Sequence, residues 1–168
     1  MSFSVSWIKV LGVIAILLST MGCTITQTVN KPSFDVASTP ELCVIDNPAV
    51  YSPFLAFYTA ALTKKGFVVK MQPQGAALDS CVAVSTYTAL RSWDMVVYLA
   101  YTELTFYKQG NVSGNAVYDA RQGSGNIGQK FIDAEQKVYE LVELAFPQPP
   151  LIWQLPEKET EIAPTKVR

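Results

Sequence analysis

Few side chains in this sequence have the type and spacing that catalysis requires. The chain of 168 residues contains no histidine, which removes the commonest general base and the commonest zinc ligand. Its three cysteines, Cys23, Cys43 and Cys81, lie far apart and form no CxxC pair. No serine, cysteine or lysine is placed beside a base. We therefore expect no catalytic residue, no metal site and no cofactor, and we expect the protein not to be an enzyme.

Carboxylates are the remaining groups that could do chemistry. Those in or beside the predicted strands are Asp79, Asp94, Glu103 and Asp119. A pair in one cleft could perform acid–base or glycosidase chemistry, but each of these lies at a different turn or strand and no spacing pairs them. Glu103 shares its strand face with Val97, Leu99, Tyr101 and Thr105. We expect a solvent face on which Glu103 pairs with a cross-strand lysine or polar group.

One glycine motif invites a cofactor interpretation. Residues Gly123 to Gly128 match GxGxxG between a predicted strand and a predicted helix. The dinucleotide-binding turn requires a βαβ unit with an acidic residue near the end of the following strand. Here the helix runs directly into a proline-rich tail, and Glu143, at the right distance, lies on the helix itself. We interpret the glycines as a strand-to-helix turn.

The first 23 residues have the layout of an export signal. Lys9 is the single charge before an apolar run from Val10 to Leu17, and small residues follow that run. The run is shorter than the roughly 20 residues that span a bilayer, which favours a cleaved signal over residues 1–22. An uncleaved anchor helix from Val5 to Met21 is the alternative.

The Gly22–Cys23 junction resembles the lipobox of bacterial lipoproteins, in which glycine or alanine precedes the modified cysteine. The resemblance implies acyl chains on Cys23 that attach the protein to a membrane. By the sorting rule of such lipoproteins, Thr24 implies the outer membrane, with the domain facing the periplasm. The polar segment 23–40 predicts a flexible tether that lets the domain reach away from the membrane.

An oxidising compartment leaves Cys43 and Cys81 as a pair, and we predict a disulfide between them. Two free buried thiols are the alternative. When Lys9 is subtracted from the 13 basic residues, 12 remain against 14 acidic ones. This balance predicts no basic patch, and we expect no nucleic-acid partner.

Apolar periodicity predicts a single α+β domain over residues 41–147, followed by a proline-rich disordered tail over 148–168. The predicted elements are a strand at 42–45, a helix from Pro53 to the Gly66 stop, strands at 67–71, 81–90, 95–108 and 112–120, and a helix from the glycine turn to Pro147. We expect a two-layer sandwich with both helices on one face of a mixed sheet that ends in an antiparallel three-strand meander. The strand at 95–108 would exceed about 40 Å if straight, so we expect a bulge or a projecting hairpin arm.

Aromatic residues concentrate on the predicted meander. They are Tyr87, Trp93, Tyr98, Tyr101, Tyr107 and Tyr118. Exposed aromatic residues at this density mark partner surfaces, whereas ordinary cross-strand packing is the alternative. The candidate partner surface comprises Trp93, Tyr98, Tyr101, Glu103 and Tyr107.

The domain resembles the small Sbal_3080-type lipoproteins of gamma-proteobacteria. The landmarks are Cys43, Asn47-Pro48, Gly66-Phe67, Cys81, Ser92-Trp93-Asp94, Tyr98-Leu99, Gly114 and Tyr118. That family has no assigned activity, so the resemblance implies an envelope lipoprotein and no particular chemistry. We expect a non-enzymatic binding or assembly partner in the cell envelope. A carrier or sensor that holds a small ligand or glycan between sheet and helices is the alternative.

Overall fold

One six-stranded mixed sheet and two helices account for residues 25–121 and 132–147, which are the residues that the computed structural model describes. The elements are β1 (Thr26–Asn30), β2 (Glu41–Ile45), α1 (Ser52–Lys65), β3 (Val68–Gln72), β4 (Ala83–Asp94), β5 (Val96–Lys108), β6 (Asn111–Asp119) and α2 (Ala134–Ala145). The sheet order is β1-β6-β5-β4-β2-β3. The predicted α+β class and mixed sheet are confirmed. The predictions for the signal, Cys23, the glycine turn and the tail lie outside the described residues.

The parallel half of the sheet is a β2–α1–β3 unit. β2 is a buried apolar strand, as predicted, and it pairs in parallel with both β3 and β4. α1 begins at Ser52, one residue before the predicted start, and no side chain caps it. Gly66 ends it with a φ of 106°, a left-handed conformation that favours glycine, and its backbone N–H bonds back into the last turn.

The antiparallel half is the predicted meander of β4, β5 and β6. The predicted end of β4 at residue 90 is wrong, because the strand continues to Asp94 and the chain reverses at Met95, whose φ is 63°. The strand pairing shifts register between Leu90 and Arg91. Every residue from 90 to 97 is exposed, and apart from Arg91, whose guanidinium lies 4.1 Å from the centre of the Tyr51 ring, the end of this hairpin projects from the body. The expected irregularity and the expected projecting arm are therefore both present.

The prediction of a flexible tether is wrong for the described part of that segment, which is folded onto the domain. Thr26–Asn30 forms β1, which pairs antiparallel with β6 at the edge of the sheet. Phe34 and Val36 then enter the core, and Ser33 bonds to Ser113. Gly114 permits this docking, since a Cβ there would lie 2.5 Å from the carbonyl oxygen of Asn30. The folded region therefore begins near residue 26 and not near Glu41.

The main core lies between the sheet and the two helices. Its largest fully buried aromatic side chains are Phe54, Tyr58, Phe106 and Phe146. Lys65 of α1, only 3% exposed, pairs with Glu143 of α2 and ties the helices together. The helix predicted from the glycine turn to Pro147 is interrupted at residues 132–133, because the Asp133 carboxylate accepts bonds from the N–H groups of residues 135 and 136 and begins α2 there. Among the described helices, none is long and apolar enough to cross a membrane.

Candidate partner-binding site

The long strand β5 separates two different environments. Thr102, Leu104 and Phe106 are buried on the helix side, whereas the alternating residues Tyr101, Glu103 and Thr105 are partly exposed. Their cross-strand neighbours carry the same exposed face onto β4, β6 and β1. We call this set the open face: Thr26, Thr28, Thr86, Thr88, Tyr101, Glu103, Thr105, Asn115, Val117 and Asp119.

Tyr101 and Glu103 form a hydrogen-bonded pair on the open face. The Tyr101 hydroxyl donates to Glu103 Oε2 at 2.7 Å. This bond to a carboxylate, with some burial, raises the pKa of Tyr101 above its ordinary value. Glu103 thus bonds to a residue of its own strand, two positions away, and not to the cross-strand partner that the sequence suggested.

Arg121 and Asp119 complete a cluster around Tyr101. The Arg121 guanidinium forms a two-point contact with the Asp119 carboxylate, at 2.9 Å from Nε and 2.6 Å from an Nη. The same guanidinium lies 4.4 Å from the centre of the Tyr101 ring. Its hydrogen bonds hold the pKa of Asp119 below the ordinary value. We call Tyr101, Glu103, Asp119 and Arg121 the Tyr101 cluster.

The polar groups of the Tyr101 cluster already bond to one another. A general acid at neutral pH needs a raised carboxyl pKa, whereas that of Asp119 is lowered. Glu103 already accepts the Tyr101 hydroxyl, and Asp119 already accepts Arg121. The cluster instead offers carboxylate oxygens, a guanidinium and an aromatic ring on one partly exposed surface, and these groups are typical of polar protein contacts.

The structure divides the predicted surface residues among three places. Tyr101 and Glu103 belong to the open face, as predicted. Trp93 lies on the projecting hairpin end and is 72% exposed. Tyr98 is only 8% exposed, so it is removed from the candidate surface and assigned to the core. The register shift next to it interrupts the alternation, and Tyr98, Leu99 and Ala100 are buried in succession.

Tyr107 lies beside the disulfide. Cys43 and Cys81 are bonded, with their Cα atoms 6.2 Å apart, which confirms the predicted pair. Cys43 packs with Ile45 and Val84 in a second small core, and Tyr107 covers its edge. Glu41 is close to both sulfur atoms, but a disulfide offers no thiolate ligand to a metal ion. Tyr107 therefore packs against this second small core at one end of the open face.

Grooves on the described part of the chain lie at its surface. One of about 430 Å³ lies between residues 31–38 and the end of α2, and one of about 610 Å³ lies over the loop that precedes α1. A third, of about 340 Å³, contains the buried Lys137, which bonds to Gln27 and Glu140. The space between sheet and helices is filled by the fully buried aromatic side chains of the core.

Sequence reasoning missed Arg121 and the association of Glu103 with Asp119. The two carboxylates are diagonal neighbours, because Asp119 pairs with Tyr101 and Glu103 pairs with Val117. The pairing of β5 with β6 was predicted, but its register shifts by one residue between Phe106 and Tyr107, so counting back from the Gln109-Gly110 turn would have set Tyr118, and not Asp119, opposite Tyr101.

Comparisons with known proteins give distant structural likenesses. No protein-family model and no curated protein matches this chain. Among solved structures, a point variant of the PelC dodecamer from Paraburkholderia phytofirmans is similar with a TM-score of 0.49 and 12% identity, over 73% of this chain and 98% of that chain. The PelC dodecamer from the same organism, in another crystal form, has a TM-score of 0.45 and 11% identity, over 73% of this chain and 95% of that one.

A minor lipoprotein from Acinetobacter baumannii is similar with a TM-score of 0.30 and 14% identity, over 68% of this chain and 92% of that one. These likenesses are too distant to assign the chain to a family or to carry a function over to it. The resemblance to Sbal_3080-type lipoproteins stays a prediction.

Proposed function

We propose that this protein is a membrane-anchored lipoprotein of the bacterial cell envelope, attached through Cys23 and facing the periplasm. In this proposal the outer membrane is its location and a non-enzymatic binding or assembly role is its function. The partner is an envelope protein that docks on the open face. The observation that carries the binding proposal is the Tyr101 cluster, which places charged and aromatic groups on a sheet face that the two described helices leave uncovered.

The charge of the Tyr101 cluster indicates the chemistry of the partner. The cluster contains two carboxyl groups and one guanidinium: Asp119 is paired with Arg121, whereas Glu103 accepts the Tyr101 hydroxyl. The threonine hydroxyls around them supply donors and acceptors for further hydrogen bonds. A partner surface with a basic group and polar side chains fits this arrangement through electrostatic complementarity.

Photo-crosslinking in intact cells tests the docking face. A photoreactive phenylalanine analogue replaces Thr105 or Val117 on the open face, and Ala56, exposed on α1, serves as the matched control position. We expect both open-face positions to give the same discrete adduct, identified by mass spectrometry, and Ala56 to give none. Adducts of equal yield from all three positions, or from none, would refute the proposal.

The anchor has a separate test. Metabolic labelling with radioactive palmitate compares the parent with Cys23→Ser. We expect the label on the parent and its loss from the variant, because Cys23 is the proposed attachment site. Equal labelling of the two proteins would contradict the anchor and leave the docking face to its own experiment.

The carrier or sensor alternative requires an enclosed pocket between sheet and helices. Phe54, Tyr58, Phe106 and Phe146 fill that space in the described part of the chain. The Tyr58 hydroxyl is also hydrogen-bonded to the Ser85 hydroxyl. No specific observation favours this alternative, and the protein-binding proposal stands alone.

A further inference from the structure

The end of the β4–β5 hairpin carries apolar side chains that are not part of the core. We call residues 90–97 the hairpin tip, and all of them are exposed. Its large apolar side chains include Trp93 at 72% exposure and Met95 at 85%, together with Leu90, Val96 and Val97. Transferring such side chains from water into an apolar environment is favourable, at about 0.8 kcal/mol per buried CH₂ group. Water alone is therefore a poor environment for the hairpin tip.

The start of the folded region lies at the same end of the sheet as the hairpin tip. Thr26 pairs with Asp119, and Asp119 pairs with Tyr101 on β5. From Tyr101, β5 runs backward in sequence to Val96 at the tip. Because β1 and β5 both run antiparallel to β6, the first residue of β1 and the Val96 end of β5 point toward the same end of the sheet.

The distances along the chain allow Cys23 and the hairpin tip to lie at the same membrane surface. Because Ala100 has no partner on β4, Val96 lies four paired steps beyond Tyr101, or about 13 Å at about 3.3 Å per residue. Cys23 precedes Thr26 by three residues, which span at most about 11 Å. A cysteine held at the membrane surface by its lipid thus places the tip at that surface or several ångströms below it, a depth typical of interfacial segments.

We propose that the hairpin tip inserts into the interface of the same bilayer that holds the lipid on Cys23. This inference rests on the anchor in the proposed function and goes beyond it, because it gives the domain a second membrane contact and a fixed orientation. Trp93 suits the interface, since its ring combines an apolar body with an N–H donor. Asp94 limits the depth, because a carboxylate does not enter the hydrocarbon region without cost.

Depth-dependent quenching of Trp93 fluorescence tests the inference. The lipidated chain begins at Cys23 in this proposal and carries Trp153→Phe, so that Trp93 is its single tryptophan, and it is reconstituted in phosphatidylethanolamine–phosphatidylglycerol vesicles. The matched control adds Trp93→Phe and Val112→Trp, because Val112 is 69% exposed beside the Gln109-Gly110 turn at the opposite end of the sheet. We expect lipids brominated near the top of their chains to quench Trp93 and iodide to quench the control.

The outcomes separate the tip from the anchor. Iodide quenching of Trp93 equal to that of the control would overturn the inference, even where mass spectrometry shows a lipidated Cys23. A blue shift of Trp93 that needs no vesicles and grows with protein concentration would also overturn it and would indicate a second copy as the occupant.

A chain of residues 23–168 with Cys23→Ser lacks both the lipid and the apolar run of residues 1–22, and it tests the tip by itself. We expect it to bind the same vesicles weakly, with bromolipid quenching of Trp93, and a further Trp93→Ser change to lower that partitioning about tenfold. Equal partitioning of these two chains would contradict the inference.

Discussion

The two faces of the sheet use the same residue type in opposite ways. On the helix side Tyr58 is fully buried, its hydroxyl is shared with Ser85, and burial raises its pKa. On the open face Tyr101 is partly exposed, and its pKa is raised first by its bond to Glu103. One tyrosine is a core residue with a satisfied hydroxyl, whereas the other presents its ring beside charged groups. Because Tyr87 and Tyr118 of the meander are likewise buried, at 3% and 2% exposure, the tyrosine content of the meander does not by itself identify a binding surface.

The largest expected difference between the faces is in stability. Phe106→Ala removes a fully buried ring that lies 5.0 Å from the Phe146 ring, and we expect a loss of about 3–5 kcal/mol in the free energy of unfolding. Thr105→Ala, its neighbour on the open face, is expected to change that free energy by less than about 0.5 kcal/mol. Urea unfolding measures both. Similar losses in the two variants would mean that both faces serve the fold.

The disulfide should contribute a little less. The Cys43–Cys81 bond joins positions 38 apart in sequence, and we expect its removal in a Cys43→Ala/Cys81→Ala variant to cost about 2–4 kcal/mol. Most of that cost arises because the unfolded chain becomes less restricted. Thermal unfolding of the parent with and without a reductant is the control and should show the same loss. A variant as stable as the oxidised parent would show that the bond only holds the loop beside the open face.

The smallest expected effect is a pKa change confined to one face. Glu103→Gln removes the carboxylate that accepts the Tyr101 hydroxyl, so the pKa of Tyr101 should fall toward 10, the ordinary value for tyrosine. A raised folded-state pKa adds stability that is present below pH 10 and is lost as pH rises through the folded value, and the variant should lose this small contribution. Tyr118 is the control, because burial is the first cause of its raised pKa. Carbon NMR of labelled tyrosine rings measures both, and a parallel fall at Tyr118 would contradict the assignment.

Strand and helix identities followed from local patterns, and the errors occurred where long-range contacts decide. The apolar run at Leu42 to Ile45 and the Gly66 stop are local signals, and both predictions were correct. Residues 26–30, in contrast, are polar and form a strand only because β6 offers an unpaired edge. The Asp133 cap was visible in the sequence, with Gln136 three positions later, but the glycines upstream gave the stronger turn signal.

The candidate site was predictable only in part for the same reason. Alternation along β5 correctly placed Tyr101 and Glu103 on one face. It failed at Tyr98, because the register shift between Leu90 and Arg91 changes which side chains are buried. Arg121 lies beyond the end of β6, and no periodic pattern includes it.

Two matched cation–aromatic contacts give the most direct test that the open face is the binding face. Arg121 lies 4.4 Å from the centre of the Tyr101 ring on the open face, and Lys64 lies 5.1 Å from the centre of the Tyr139 ring between the helices. Arg121→Gln and Lys64→Gln each remove one such charge, and the yield of the Thr105 crosslink in cells is then measured. We expect Arg121→Gln to lower that yield about tenfold, because Asp119 and the Tyr101 ring lose the guanidinium that positions them, and Lys64→Gln to leave it unchanged. Equal yields in the two variants would contradict the account.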